Sequence, residues 1–252
     1  MRSSRIYCPQ ALAEGEELAL EPRNLHYLLH VLRVKPGAAL RLFDGGGSEY
    51  NATVTTVGRK AVRVRVGEAC ASGSTLESPL HTTLAIAVSK GERMDWVMQK
   101  ATELGVSAIQ PLLSRRVDVK LDAQRAAKRL EHWRGIVVAA CEQCGRRMTP
   151  KLHSPHKFDD WLGRQPVCAA NEVRLTMQAD GCAFAEFAQR IGETPAKACL
   201  LVGPEGGLED GEISAAAAAG FTPVCVGKRV FRTETAPVVG LSLLQYRWGD
   251  FS

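Results

Sequence analysis

The sequence predicts an α/β protein in which a β-rich domain precedes a larger domain built on a parallel sheet. Segment 1–70 alternates apolar and polar side chains between turn residues, as half-buried strands do. After residue 80, short apolar segments alternate with segments of helical periodicity, which favours a parallel sheet covered on both faces. We therefore expect domains at 1–70 and 81–252, joined by a linker at 71–80 that is rich in Ser, Gly and Pro.

In the first domain, side-chain alternation marks the strands. Strands are predicted at 40–43, 50–57 and 61–66, with a hairpin turn over 58–60. Leucines at helical spacing from Leu25 to Leu32 predict one short helix, which Pro36-Gly37 ends. The run Asp44-Gly45-Gly46-Gly47 is similar to the glycine loop of a Rossmann methyltransferase. Because hairpin strands follow it instead of a helix, we interpret it as a β-turn.

In the second domain, apolar strands and helical stripes follow one another. Strands are predicted at 83–88, 106–113, 166–170, 199–202 and 223–226. A helical stripe runs from Met94 to Leu104, and Gly105 closes it. A long helix is predicted to begin near Asp122, a good N-cap residue, and to end at Gly145.

Composition places the chain among ordinary globular proteins. Of its 252 residues 45% are hydrophobic and 23% are charged, and its net charge of +5 permits a nucleic-acid partner without requiring one. The N-terminus lacks the apolar core of a signal peptide, and no apolar run approaches the ~20 residues of a membrane span. We therefore expect a cytoplasmic protein that does not enter membranes and whose eight cysteines are reduced.

The cysteines and histidines do not predict a metal site. Cys141 and Cys144, followed by His153 and His156, resemble a zinc quartet, but the gap between the pairs is too short for a zinc finger. Both cysteines also lie on the apolar stripe of the long helix, where a cysteine acts as a small hydrophobe. We expect no metal.

Two polar, glycine-containing loops are candidate ligand sites. Residues 203–207 (Gly-Pro-Glu-Gly-Gly) follow the strand at 199–202, and residues 227–237 follow the last strand. The carboxyl end of a parallel strand is where α/β folds bind ligands, and glycine lets the backbone approach a ligand closely. The acidic residues Glu209 and Asp210 argue against a phosphate ligand. A tight structural turn and a solvated connection remain open as alternatives for the two loops, and Thr235 is a candidate cap for the last helix.

Taken together, the segments resemble the small-subunit ribosomal RNA methyltransferase E family, the 16S rRNA uracil-N3-methyltransferases. The resemblance covers nearly the whole chain, and its motifs in this order are highly specific. The matching segments are 23–27, 31–33, 89–94, 99–106, 142–146, 201–207 and 232–236.

The resemblance implies a PUA-like β-barrel followed by a SPOUT-type α/β domain with a C-terminal trefoil knot. It also implies a homodimer that methylates N3 of a uridine in 16S rRNA, within the assembled small subunit, with S-adenosylmethionine as cofactor and without metal. The implied cofactor-binding residues are Leu201, Val202, Gly203, Pro204, Glu205, Gly206, Gly207, Gly227, Val230, Phe231, Arg232, Thr233, Glu234, Thr235 and Ala236. Phe231 and Pro237 depart from the family pattern, which leaves the edge of the adenine pocket in doubt.

The chemistry nominates catalytic residues. A uracil ring nitrogen is a poor nucleophile while protonated, so a group must accept its proton or stabilise the resulting charge. The candidates are Arg232 and Arg146 as cations and Glu205 and Glu234 as carboxylates. A structural hydrogen bond for Glu205 and a salt bridge from Arg232 to Glu234 remain alternatives.

Basic residues near strand and helix ends are candidate RNA contacts. The target base must be unpaired or flipped to reach the pocket, and phosphates would be held by Lys90, Arg93, Arg115, Arg116, Arg146 and Arg147. Two rival functions are a non-catalytic RNA-binding module and an enzyme that binds a nucleotide phosphate. A cofactor titration separates the first rival, and thermal protection by ATP or by adenosylhomocysteine separates the second.

Overall fold

The structure is a computed structural model, and it describes residues 4–71, 76–117 and 122–251. The chain divides into two compact units. The first comprises residues 1–77 together with 141–149, and the second comprises 78–140 together with 150–252. Within the predicted linker at 71–80, residues 72–75 lie outside the described residues.

The first unit is a mostly antiparallel sheet with one short helical segment. Its helix α1 (Pro22–His26) continues as a π-helical turn over Tyr27–Val31. The strands in spatial order are β1 (Ser4–Tyr7), β3 (Ala39–Phe43), β4 (Glu49–Val57), β5 (Val62–Ala69) and β2 (Glu17–Ala19). The three predicted strands and the helix are confirmed, whereas β1 and β2 were too short for their alternation to be recognised.

Residues 141–149 complete the first unit through contacts with β1 and the glycine turn. Arg5 donates to the carbonyls of Cys141 (2.6 Å) and Arg146 (2.9 Å). The Glu142 carboxylate accepts the N–H of Tyr7 at 2.9 Å, and burial raises the pKa of Glu142. Burial also raises the pKa of the Cys141 thiol to about 12, so this cysteine is a protonated core side chain at neutral pH. Between the antiparallel strands β3 and β4, Asp44 Oδ1 accepts the N–H groups of Gly46 (2.7 Å) and Ser48 (3.1 Å), so this segment is a turn between hairpin strands and not a glycine loop before a helix.

The second unit is built on a parallel sheet. Within the described residues, the strands in spatial order are β12 (Thr222–Cys225), β10 (Glu172–Ala183), β11 (Lys197–Val202), β6 (His81–Ala87), β7 (Ala108–Leu113) and β8 (Lys151–Leu152). A further short strand, β9 (His156–Lys157), also pairs with β7. Every pairing in this sheet is parallel, as predicted.

Helices cover both faces of this sheet. They are α2 (Glu92–Glu103), α3 (Ala123–Cys144), α4 (Phe158–Leu162), α5 (Phe184–Arg190), α6 (Asp210–Ala218) and α7 (Thr235–Trp248). Successive residues of β11 enter different cores: Leu200 packs in the core that contains α2 and α7 residues, and Leu201 packs with α4 and α6 residues. None of the helices in the described part of the chain has the length and apolar character needed to cross a bilayer.

Two details of the second unit bear on the sequence predictions. The predicted N-cap at Asp122 is confirmed, since its Oδ1 accepts the N–H of Arg125 at 2.7 Å. The predicted strand at 166–170 is wrong: this segment is irregular, and Val167 is 94% exposed. The strand lies instead at β10, where the charged residue Arg174 is buried because it pairs with Glu172 (2.8 Å) and donates to the Ala219 carbonyl (2.9 Å). Because arginine is rarely buried, a strand that contains a buried arginine is not recognised from its hydrophobic pattern.

Candidate functional site

A cleft lies at the carboxyl ends of β11 and β12 and beside the middle of β10, which lies between these two strands in the parallel sheet. Its volume is about 270 Å³, close to the lower end of the ~300–1,000 Å³ range of small-molecule sites. Both loops that the sequence singles out contribute walls, because parallel strands deliver their following loops to one edge of the sheet. The two loops that the sequence names separately as candidate ligand sites therefore lie side by side at this edge.

The first wall is the glycine-rich loop after β11. The N–H of Gly207 bonds to the carbonyl of Pro204 at 2.9 Å and closes a tight turn, in which Gly207 has φ +71°. A Cβ at Gly203 would lie 3.1 Å from Leu208 Cγ and 3.2 Å from the Leu208 nitrogen. Glycine at 203 therefore lets the turn pack tightly on Leu208, which is buried in the core below.

The second wall is the loop between β12 and α7. Its first residue, Gly227, has φ +70°, and its Phe231 packs against the core while also lining the cleft. Thr233 is buried, and its hydroxyl has no hydrogen-bond partner within the described chain. The last helix begins at Thr235 with Glu234 as its N-cap residue, so the expected cap at Thr235 is wrong by one position.

A third wall was not predicted from the sequence. The pairing of β10 with β12 shifts between Met177 and Cys182, so the residues between them bulge, and Met177, Gln178 and Ala179 line the cleft. A Cβ at Gly181 would lie 2.5 Å from the backbone of Pro223 and Val224, so glycine is required for this close approach. The isolated glycine inside a strand-forming segment is the sequence feature that could have predicted this bulge.

Ten of the fifteen predicted cofactor residues line the cleft: Val202, Gly203, Pro204, Glu205, Gly207, Gly227, Val230, Phe231, Thr233 and Ala236. The other five do not line it: Leu201, Gly206, Arg232, Glu234 and Thr235. Leu201 is fully buried in the core on the α4 side of the sheet. Lys228 and Arg229, which lie within the predicted loop at 227–237, also line the cleft, and lining residues outside both predicted loops include Leu208 and Cys225.

Two of the predicted RNA-binding arginines contact acidic or carbonyl groups of the two loops, and a third contacts Glu209, the N-cap residue of α6. Arg93 donates to Glu205 Oε1 at 2.9 Å, and its Nε lies 3.9 Å from Glu234 Oε2. Arg116 donates to the carbonyl of Gly206 at 2.7 Å, and Arg115 Nη1 lies 3.5 Å from Glu209. These contacts hold the glycine-rich loop against the segments that follow β6 and β7.

Glu212 is a structural residue that the sequence reading missed. Its carboxylate is 1% exposed and accepts two backbone N–H groups, from Glu209 and from Arg115, both at 2.9 Å. It thereby joins the start of α6 to Arg115, which lies two residues after the end of β7. The spacing Glu209-x-x-Glu212 matches that of a capping box, in which the side chain at N3 accepts the backbone N–H of the N-cap residue. This spacing could have identified the role of Glu212 from the sequence.

The remaining predicted residues occupy different environments. Arg146 belongs to the first unit, is 5% exposed, and donates to Glu77 at 2.6 and 2.9 Å. Arg147 in the same unit lies 3.3 Å from Glu49. Lys90 is exposed in the segment between β6 and α2. Neither Arg146 nor Arg147 lines the cleft of the second unit.

Arg232 is exposed, and within residues 4–71, 76–117 and 122–251 its side chain makes no ion pair. The alternative of a salt bridge from Arg232 to Glu234 is therefore not what the structure shows, since Glu234 faces Arg93. In the described part of the chain, no group of three or more His, Cys, Asp or Glu side chains is arranged to hold a metal ion.

Comparison with known families matches both units. A family described as an RNA methyltransferase domain matches residues 76–245, and one described as an RNA methyltransferase PUA domain matches residues 20–67. The chain is 34% identical to ribosomal RNA small subunit methyltransferase E of Synechocystis, over 94% of this chain and 75% of that protein. It is 32% identical to the protein of that name from Buchnera aphidicola subsp. Schizaphis graminum, over 100% of this chain and 99% of that protein.

The chain is also similar to a solved structure of a protein with that name. The crystal structure of a ribosomal RNA small subunit methyltransferase E from Neisseria gonorrhoeae, bound to S-adenosyl methionine, is 37% identical in sequence. The similarity covers 100% of both chains with a TM-score of 0.90.

Proposed function

This chain belongs to the ribosomal RNA small subunit methyltransferase E family, and we propose that it transfers a methyl group from S-adenosylmethionine to N3 of a uridine in 16S rRNA. It is an RNA methyltransferase with an α/β fold and a PUA domain. The nitrogen, the base and the ribosomal RNA species are the proposed part, and they derive from the motif resemblance described above.

The observation that carries the proposal is the cleft formed by residues 202–208 and 224–236 at the sheet's carboxyl edge. Two loops that are separated in the chain by α6 and β12 form one cavity there, with glycines where the backbone turns. The start of α6 beside it is acidic, with Asp210 and Glu212 in its first turn. This charge disfavours a ligand that presents phosphate, and it is compatible with the cationic sulfonium and amino groups of S-adenosylmethionine.

The cleft residues fit this cofactor. The buried Thr233 hydroxyl has no protein partner among the described residues, so a ligand hydroxyl, amino or carboxylate group would satisfy it. Val202, Leu208 and Phe231 supply apolar surface of the kind that packs against an adenine ring. At Gly207 and Gly227 an added Cβ would meet no atom within 4 Å, so the backbone at both positions is open to a ligand.

The chain's own residues act mainly by positioning. S-adenosylmethionine, when bound, supplies a methyl group that its sulfonium already activates, so the protein is not required to provide a Lewis acid. Residues 203–207 and 227–236 would hold S-adenosylmethionine. The protein must then align N3 of the uracil with the methyl carbon while excluding water. The loop contacts of Arg93, Arg115 and Arg116 favour such alignment because they restrain the glycine-rich loop before the substrate arrives.

For the chemical step we assign charge stabilisation to Arg232. Its guanidinium is exposed and is not engaged by a carboxylate of the described chain, so it is available to a uracil oxygen as N3 loses its proton. Glu205, Glu234 or a water molecule accepts the proton. Arg146 remains a candidate cation in our proposal, although its guanidinium pairs with Glu77.

We further propose contacts to RNA phosphates from Lys90, Arg115, Arg116, Arg146 and Arg147, with the target base flipped into the cleft. The substrate is 16S rRNA within the assembled small subunit, and the enzyme works in the cytoplasm. Many arginines of the set are already paired with acids in the free protein, so RNA binding at those positions requires exchange of partners.

We also propose three features of architecture. The five-stranded sheet of the first unit closes as a PUA-like barrel. The chain forms a trefoil knot near its C-terminus, which is supported by the return of α7 from the edge strand β12 to pack on β11, where Gly240 meets Leu200. The protein is a homodimer, since Val238, Val239 and Tyr246 of α7 remain partly or largely exposed in one chain.

The experiment that tests this function compares 16S rRNA from cells with and without the protein by mass mapping of methyl groups. We expect loss of one methyl group at N3 of a single uridine when the protein is absent, and its return when purified protein and S-adenosylmethionine are added to the isolated small subunits. An unchanged methylation map would overturn the proposal. Loss of a methyl group from another base or from a ribose would overturn the assignment to uracil N3.

A further inference from the structure

Arg93 lies in the first turn of α2 and contacts both loops of the cleft. Its Nη1 is 2.9 Å from Oε1 of Glu205, in the glycine-rich loop after β11. Its Nε is 3.9 Å from Oε2 of Glu234, in the loop before α7. The two carboxylates belong to loops that follow different strands, so one guanidinium spans two walls of the cleft.

We propose that Arg93 is a positioning residue that fastens the glycine-rich loop to the loop before α7 and thereby sets the affinity for the cofactor. This inference rests on the proposed use of S-adenosylmethionine. It differs from the phosphate contact that the sequence suggested for Arg93, and the two roles predict different measurements.

The charges around Arg93 favour the positioning role. Within residues 4–71, 76–117 and 122–251, no other cation lies within ion-pair distance of Glu205 or Glu234. One positive charge between two negative charges leaves the group with a net charge of −1, which repels a phosphate. An RNA phosphate would also have to displace the Glu205 carboxylate, which already accepts a hydrogen bond from this guanidinium.

The geometry suits arginine and not lysine. The planar guanidinium donates a hydrogen bond to Glu205 from Nη1, and its delocalised charge also lies 3.9 Å from Glu234 Oε2, an ionic contact that is too long for a hydrogen bond. Lysine is a single point of charge on a flexible stem and would pair with one of them. The matched variants are therefore Arg93→Gln, which removes the charge, and Arg93→Lys, which keeps the charge and loses the fork.

The expected effect is modest because the groups are partly exposed. The side chains of Arg93 and Glu205 are 48% and 43% exposed, and that of Glu234 is 19% exposed. Solvent-screened ion pairs of this kind are weak one by one. For loss of both pairs we expect the dissociation constant for adenosylhomocysteine to rise about three- to tenfold in Arg93→Gln, with an intermediate rise in Arg93→Lys.

The experiment measures three quantities on the full-length protein. Calorimetry gives the affinity for adenosylhomocysteine, and hydrogen exchange of the ligand-free protein gives the protection of residues 203–209 and 231–236. Filter binding of 16S rRNA over a salt series gives RNA affinity. Arg134→Gln is the control, because Arg134 is exposed on α3 and pairs with Glu131, within its own helix.

We expect Arg93→Gln to weaken adenosylhomocysteine binding and to speed exchange in both loops, with RNA affinity and its salt slope unchanged. Reduced RNA affinity, a salt slope lowered by about one, and unchanged cofactor affinity would overturn the inference in favour of a phosphate contact. Unchanged values in all three measurements would overturn it as well. If the wild-type protein itself bound no adenosylhomocysteine, the proposed function would fail, which is a separate outcome.

Discussion

Replacing Arg232 with alanine separates a role in chemistry from a role in folding. The side chain is exposed and has no ion-pair partner within the described chain, so its truncation should change the free energy of unfolding by no more than about 0.5 kcal/mol. For a protein of this size, that corresponds to at most about 2 °C in melting temperature. The backbone carbonyl of Arg232, which accepts the N–H groups of Thr235 (2.9 Å) and Ala236 (3.0 Å), is retained in the variant.

The expected effect on methylation is much larger. Loss of one preorganised donor to a developing oxyanion typically lowers the rate by about 10²–10³, or ~2.7–4 kcal/mol of transition-state stabilisation. Arg232→Lys should recover part of the rate, because it restores the charge without the planar fork. Arg164→Ala is the matched control, since Arg164 is also exposed but belongs to neither of the two loops that form the cleft.

The assay is single-turnover methylation of small ribosomal subunits, accompanied by melting temperature and adenosylhomocysteine affinity for each variant. Our reasoning requires near-native folding and cofactor binding together with strongly reduced methylation in Arg232→Ala. A near-native methylation rate in this variant would refute the assignment, and Arg146 would become the leading candidate. An equal loss in Arg164→Ala would show that the assay reports general surface charge.

Further predictions concern the cofactor, the assembly and the pH dependence of stability. Calorimetry should detect adenosylhomocysteine binding in metal-free buffer, and EDTA should leave methylation unchanged, because the sulfonium already activates the methyl group; inactivation by EDTA would contradict this. Light scattering at micromolar concentration should give the mass of a dimer. A monomer mass would refute the proposal that the exposed side chains of α7 contact a second copy of the chain. Burial raises the pKa of Glu142, so its stabilising contribution is present below the ordinary carboxyl pKa and is lost as pH rises through the raised value. Since glutamine keeps an acceptor for the Tyr7 N–H, urea unfolding should show Glu142→Gln gaining stability relative to wild type as pH rises above the ordinary carboxyl pKa of about 4. A variant less stable than wild type at pH 7 would mean that attraction to Arg5 and Arg23 outweighs burial.

Local patterns were sufficient for much of the fold. Alternation at 50–57 and 61–66 marked the hairpin strands β4 and β5, because one face of each strand is buried and the other is solvated. The apolar runs of β6, β7 and β11 marked a parallel sheet, since such strands are buried on both faces. With parallel strands, the loops at 203–207 and 227–236 had to meet at one edge, and they do.

Local patterns failed where burial depends on a distant partner. The strand β10 was missed because Arg174 is buried by its hydrogen bonds to Glu172 and to the carbonyls of Pro166 and Ala219. The bulge after Met177 depends on how β10 pairs with β12, which the sequence of β10 alone does not specify. Its contribution to the cleft could therefore not be predicted.

The sequence by itself determined the family, the parallel sheet with its strands β6, β7, β11 and β12, and the two loops that build the site. Only the tertiary structure decided which side chains of those loops face the cleft and which charges meet. Arg93 and Glu205 are 112 residues apart, and Arg146 is committed to Glu77, 69 residues away. Such pairs form because topology and strand register bring distant segments together, and periodicity records only how a residue is buried within its own helix or strand.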